Sequence, residues 1–169
     1  MEYTATEKAA VIATCRKWKH PMAVEKAFHL LNEGDTILDY GCGKHMTLMY
    51  KLGDMGYDAE GHDLSLFYWH GRKVLSSRYD VVIASNVLNV QPDNKRGIEV
   101  LEELEGLARH LIIFNYPNSP RKWKAPAWWV RHLASWVMRD WNLSHMYYGS
   151  GTLTVATRGT NLLRKGREK

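Results

Sequence analysis

Apolar residues along this chain recur with two periods. Val11, Ile12, Cys15 and Trp18 sit at helical spacing and predict a first helix with one apolar face. Pro21, tolerated in a first turn, opens a second helix whose face is Val24, Ala27, Phe28 and Leu31, and Asn32-Glu33-Gly34 ends it. The short run Thr36-Ile37-Leu38, closing at Asp39, reads as a central buried strand. Gly41-Cys42-Gly43 then turns the chain into a helix carrying Leu48, Met49, Leu52 and Met55, weakened at its end by Gly53 and Gly56. Tyr57 to Asp63 alternates as a strand, and Tyr79 to Ser85 is another. Only 15 residues, 64 to 78, separate the two. A parallel crossover takes about a dozen or more, so Arg72 to Leu75 is at most a rudimentary strand. Beyond Pro92-Asp93 a helix presents Ile98, Leu101, Leu104 and Leu107, and Leu111 to Phe114 is a buried strand ending in the loop Asn115 to Pro120. A Trp-rich helix from about Pro126 to Trp141 follows. A hairpin, Leu143 to Tyr148 and Thr152 to Thr157 around Gly149-Ser150-Gly151, completes the pattern. Alternating helices and strands predict an open, mostly parallel α/β sheet.

Composition narrows the class. The 169 residues and 19.5 kDa suit one domain, with 45% apolar and 24% charged residues as in ordinary globular proteins. We expect that domain over residues 1–158, with helices over 1–34 and a basic tail over 159–169. No apolar run approaches the roughly 20 residues that span a bilayer. Glu2 and Glu7 stand where a signal peptide would carry positive charge, so the expected location is cytoplasmic. Two cysteines, Cys15 and Cys42, make no disulfide framework, and the eight histidines are scattered, so no metal is expected. Charge is uneven. Residues 1–114 hold 13 Lys and Arg against 16 Asp and Glu, a net of −3, whereas residues 115–169 hold 10 against 2, a net of +8. Such asymmetry fits an anionic partner, nucleic acid above all, and equally a solvated tail.

The chemistry concentrates at Asp39-Tyr40-Gly41-Cys42-Gly43, a strand, a turn and a helix start. Glycines there accept positive φ and let backbone approach a ligand, and the helix N-terminus offers unpaired N–H groups to an anion. A carboxylate at the strand end pairs with an ammonium, so the whole suits a zwitterion. Gly61-His62-Asp63 ends the next strand, its acid 24 residues after Asp39. An acid at that tip can accept from both hydroxyls of a ribose. Together these describe a site for an aminoacyl nucleoside.

These residues, "ILDYGCGK", "GYDAEGHDLS" and "YDVVIASNVLNVQPD", with "GTLTVATR" at the end, resemble class I S-adenosylmethionine-dependent methyltransferases over roughly residues 35 to 157. The resemblance implies a Rossmann-like fold: a seven-stranded, mostly parallel sheet with an antiparallel last strand and helices on both faces. It implies S-adenosylmethionine as cofactor, with Asp39, Gly41 and Gly43, and Cys42 in the same turn, at the methionine part. Asp63 would hold the ribose, Leu64 touch the adenine, and Ala84, Ser85 and Asn86 lie near the sulfonium. "TATEKAA" together with these motifs also resembles a methyltransferase-like family associated with DNA phosphorothioation. Two departures stand out: His45 occupies the family's usual third glycine, and the 64–78 segment is compressed. A dinucleotide fingerprint fails at Met46, where it needs glycine, and no Walker A loop is present.

The acceptor is narrowed by what is missing. Neither cysteine follows a proline, which excludes cytosine-C5 chemistry, and Ser85-Asn86-Val87-Leu88 lacks the prolines of an exocyclic-amine loop. Asn115-Tyr116-Pro117 is a partial echo of that loop one strand later, and also reads as a plain proline turn. Arg121, Lys122 and Lys124, interleaved with Trp123 and followed by Trp128 and Trp129, are candidate phosphate and base contacts. Against this, Trp129, Leu133 and Trp136 read as the core face of an ordinary helix. Asn89, Trp69 and His70 are further polar candidates, and no catalytic residue is assigned. The expectation is methyl transfer to nucleic acid or a nucleic-acid-linked group. A non-catalytic binding module and a small-metabolite methyltransferase remain open.

Overall fold

The computed structural model describes residues 22–64, 74–117, 127–149 and 151–159. In chain order these form α1 (Met22–Glu25), β1 (Thr36–Tyr40), α2 (Thr47–Asp54), β2 (Asp58–His62), β3 (Tyr79–Ala84), α3 (Asn94–Leu107), β4 (Ala108–Pro117), α4 (Ala127–Val137), β5 (Asn142–Tyr148) and β6 (Gly151–Thr157). Short 3₁₀ turns lie at Phe28–Leu30, Val74–Ser76 and Leu88–Val90. The strands make one sheet in the order β2-β1-β3-β4-β6-β5. β1 to β4 are mutually parallel, while β6 runs antiparallel to both β4 and β5.

The continuous apolar strands are explained by burial on both sides. Along β1, Ile37 points to one face and Leu38 and Tyr40 to the other; along β3, Val81 and Ile83 oppose Val82 and Ala84; along β4, Leu111 and Ile113 oppose Ile112 and Phe114. The odd-numbered set packs with Val24 and Ala27 and with Leu48 and Leu52 of α2. The even-numbered set packs with Leu101 and Leu104 of α3, with Val130 and Ala134 of α4 and with Met138 just past its end. Asp93 caps α3, accepting from the Arg96 N–H at 2.8 Å.

Three expectations change. The second helix is a single turn, after which the chain tightens into the 3₁₀ turn at Phe28–Leu30, although Val24 and Ala27 are still buried. Six strands form the sheet among the described residues, not seven, and Leu75 lies in a 3₁₀ turn. On α4 the buried side is Val130 and Ala134, continued by Met138 just past its end, not Trp129 and Trp136: Trp136 is 63% exposed and Trp129 half-buried. The bulky indoles of Trp128 and Trp136 are turned outward. Arg158, the last residue expected in the domain, pairs with Glu105 and lies 4.6 Å over the Trp141 ring.

Candidate functional site

β1, β2, β3 and β4 end on one edge of the sheet, and the motif residues meet there. Asp39 pairs in register with Gly61, and Tyr40 with His62. The turn after β1 bends back over the tip of β2: the Gly41 and Cys42 N–H groups both donate to the His62 carbonyl, at 2.6 and 3.0 Å. The Gly43 N–H donates to Asp63 Oδ2 at 2.9 Å. The second acid is therefore tied to the glycine turn of the first strand, which fixes the spacing between the two tips. Leu64 follows Asp63, half-buried.

Each glycine here has a local reason. Gly41 has φ +80°, and a Cβ on it would overlap Val87 Cγ2, delivered by the loop after β3. Gly43 has φ +63°, and a Cβ there would meet nothing within 4 Å, so the backbone borders open space. Gly61 lets β2 pass against the turn; a Cβ would lie 2.9 Å from Cys42 Sγ and 3.1 Å from Met49 Sδ. Met46, one residue after the His45 that stands at the family's third glycine, holds the left-handed conformation (φ 47°) that starts α2.

Asp39 is the electrostatic centre. It is 2% exposed, and its Oδ2 is buried without a hydrogen-bond partner. Burial is the main cause that raises its pKa to about 7; a Met49 backbone hydrogen bond opposes this, and the nearby Asp63 charge adds to it. Burial, then the charges of Asp39 and Asp63, push the Cys42 thiol well up, so it stays protonated and unreactive at neutral pH. An orphaned buried carboxylate oxygen costs free energy unless a donor reaches it, and an ammonium supplies both donor and opposite charge. The residues present thus fit the aminoacyl end of S-adenosylmethionine at Asp39 and the Gly43 opening, with Asp63 at the neighbouring tip in place for the ribose.

The loop after β3 is held by a pair of amides. Asn86 stands at φ +58°, its N–H donating to Asn115 Oδ1 at 2.7 Å, while Asn115 Nδ2 donates to Asn86 Oδ1 at 2.9 Å and to the Tyr148 hydroxyl at 3.2 Å. Asn tolerates left-handed backbone better than other side chains. Asn115 is buried and serves this loop, and Tyr116 packs into the α3–α4 core instead of a surface. Ser85 is half-buried beside Asn86. Arg121, Lys122, Lys124, Trp69 and His70 lie outside the described residues. Val87 and Tyr148 were not singled out from sequence as site residues, and Gly61 only as the start of the Gly61-His62-Asp63 strand end. A glycine inside a strand signals close backbone approach and so marks Gly61, whereas nothing local marks Val87 or Tyr148. Among the described residues no group of three or more His, Cys, Asp or Glu could hold a metal, and no helix is long and apolar enough to cross a membrane.

No protein-family model matches the sequence, and no curated protein matches it. Solved structures do. A TehB-like S-adenosylmethionine-dependent methyltransferase from Corynebacterium glutamicum superposes with TM-score 0.61 at 15% identity, over 90% of this chain and 93% of that one. Magnesium protoporphyrin IX methyltransferase from Synechocystis, with bound S-adenosylhomocysteine, gives 0.62 at 15%, over 94% and 89%. The small RNA methyltransferase Hen1 gives 0.62 at 14%, over 88% of this chain and 27% of that one. The chain has the class I methyltransferase fold.

Proposed function

We propose that this protein is an S-adenosylmethionine-dependent methyltransferase whose acceptor is nucleic acid or a group carried on it. The observation that carries the first half is the junction at the strand tips: a buried, partnerless Asp39 oxygen, an open glycine turn and a second acid bound to that turn. When bound, the cofactor supplies a methyl group already activated on a sulfonium. The protein's part is then to bind and orient. Asp39 complements the ammonium, Asp63 accepts from the ribose, and the Asn86–Asn115 pair fixes the loop that the family resemblance places beside the sulfonium. Holding an acceptor in line with the methyl group replaces a bimolecular encounter by a positioned one.

The acceptor reading rests on the +8 net charge of residues 115–169 against −3 before them, and it agrees with a Hen1 RNA methyltransferase among the structural neighbours. Calorimetry with S-adenosylmethionine and S-adenosylhomocysteine tests the cofactor: micromolar binding, lost in Asp63→Ala, is expected. No binding at millimolar cofactor would make the chain a non-catalytic module. A tritiated methyl-transfer screen over DNA, RNA, protein and metabolite pools tests the acceptor, and label appearing only in metabolites would overturn the nucleic-acid half.

A further inference from the structure

The face made by α4 and β5 is not used by the fold. α4 turns Val130 and Ala134 to the core and leaves Trp128 61% and Trp136 63% exposed. Beside it on β5, Tyr147 is 65% exposed, with the Arg131 guanidinium 5.5 Å over its ring. On the helix, the His132 ring stacks on Trp129 at 5.5 Å and 28°. Arg139 is exposed just beyond the helix, and neither α4 nor β5 contains a carboxylate. Exposed large aromatics gathered on one face mark an interaction site. Here they alternate with the cations Arg131 and Arg139, and the acid between the two elements is the exposed Asp140 beside Arg139.

We infer that this face binds an unpaired nucleic-acid strand, with bases stacked on Trp128, Trp136 and Tyr147 and phosphates met by Arg131 and Arg139. Flat apolar rings with interleaved guanidiniums suit bases on a polyanionic backbone, and the +8 of this third of the chain supplies the long-range attraction. A paired duplex hides its base faces, so the rings select single strands. Trp128 and Trp136 are eight residues apart, about 12 Å along a helix, which is roughly three to four stacked nucleotides. The position also fits. β4 and β5 both run antiparallel to β6, so β5 ends on the same edge as the Asp39 turn. Tyr147 faces outward there, while its neighbour Tyr148 reaches Asn115 and, through it, the Asn86 loop. A strand laid on the face would therefore lead to the proposed methyl-transfer site. The inference deepens the nucleic-acid reading above and rests on it.

The test uses the full chain and 12-residue oligothymidylate, oligouridylate and a mixed-sequence duplex, titrated by tryptophan fluorescence and anisotropy at 50 to 200 mM salt. Single strands are expected to bind at least tenfold more tightly than the duplex. Trp128→Ala and Trp136→Ala should each weaken binding about tenfold, Trp136→Phe should recover most of the loss, and Arg131→Gln should lower the salt slope by about one. Because these side chains are exposed, melting temperature and cofactor affinity should stay as in the parent. A preference between the two oligomers identifies DNA or RNA as the source and supports the face either way. Duplex binding as tight as single-strand binding, variants that bind like the parent, or no binding at 50 mM salt would overturn it. So would sedimentation showing a dimer that Trp136→Ala dissolves, since the face would then join two copies of this chain. Cofactor binding without strand binding sinks this inference alone, and strand binding without cofactor binding sinks the methyltransferase reading while leaving the face.

Discussion

Burial holds a proton on Asp39 that a solvated carboxyl would release. Its carboxyl ionises near 3.8 when solvated and near 7 when buried at the β1 tip. Between those values the folded chain binds more protons than the unfolded one, so stability falls as pH rises from about 4 to about 7 and stays low above. Asp39→Asn should therefore melt higher than the parent at pH 8, by as much as about 4 kcal/mol of stability, and show little gain at pH 4. The same variant should lose cofactor binding, because the ammonium loses its counter-charge. In the parent, affinity for a cationic aminoacyl ligand should drop about tenfold per pH unit below 7, as the carboxylate protonates. Calorimetry across pH 5 to 8 checks this, and a flat profile would remove Asp39 from the binding role. Gly41 is the second residue-scale lever. Gly41→Ala meets both a left-handed backbone and Val87 Cγ2, so it should cost roughly 2–4 kcal/mol. Adding Val87→Ala should return the part due to the clash, though not the part due to φ, as denaturant titrations of the two variants would show.

At the scale of elements, hydrophobic period was enough for β1, β3, the centre of β4 and α3, because each is buried in a way that its own sequence records. β4, by contrast, runs on through Asn115–Pro117, expected as loop, because those residues pair with β6. Asp93 ahead of an apolar-periodic run predicts the α3 start, and the structure places its side chain on the Arg96 N–H. Asp93→Ala should destabilise by about 1 kcal/mol, read as a small fall in melting temperature with the site intact. The Trp-rich helix shows where period fails. Trp129, Leu133 and Trp136 have helical spacing, but so do Val130, Ala134 and Met138, and which stripe faces inward depends on the room left by α3 and β4. The closely packed, smaller stripe went in. The second helix failed differently: its four residues bury Val24, and the chain then tightens into a 3₁₀ turn whose preceding residue, Ala27, is also buried.

For the whole molecule, the parallel register of β1, β2 and β3 turns two separate sequence motifs into one site. Cofactor binding should then stabilise the fold as a unit. At a hundredfold excess over the dissociation constant the gain is about 2.7 kcal/mol, a rise of roughly 5–10 °C in melting temperature for a chain of this size. Thermal melts with S-adenosylhomocysteine measure it, and no shift at millimolar ligand would contradict the cofactor reading. The sequence by itself determined the α/β alternation, the two acids and the glycine turn between them, because these depend on local period, chain reversal and residue chemistry. Only the tertiary structure decided that Asp63 is bound to Gly43, that Val87 lies under Gly41, that Asn115 serves Asn86 and that the α4 indoles face outward. Those are contacts between segments far apart in the chain, set by strand register and by the space that neighbouring elements leave, and no local pattern encodes either.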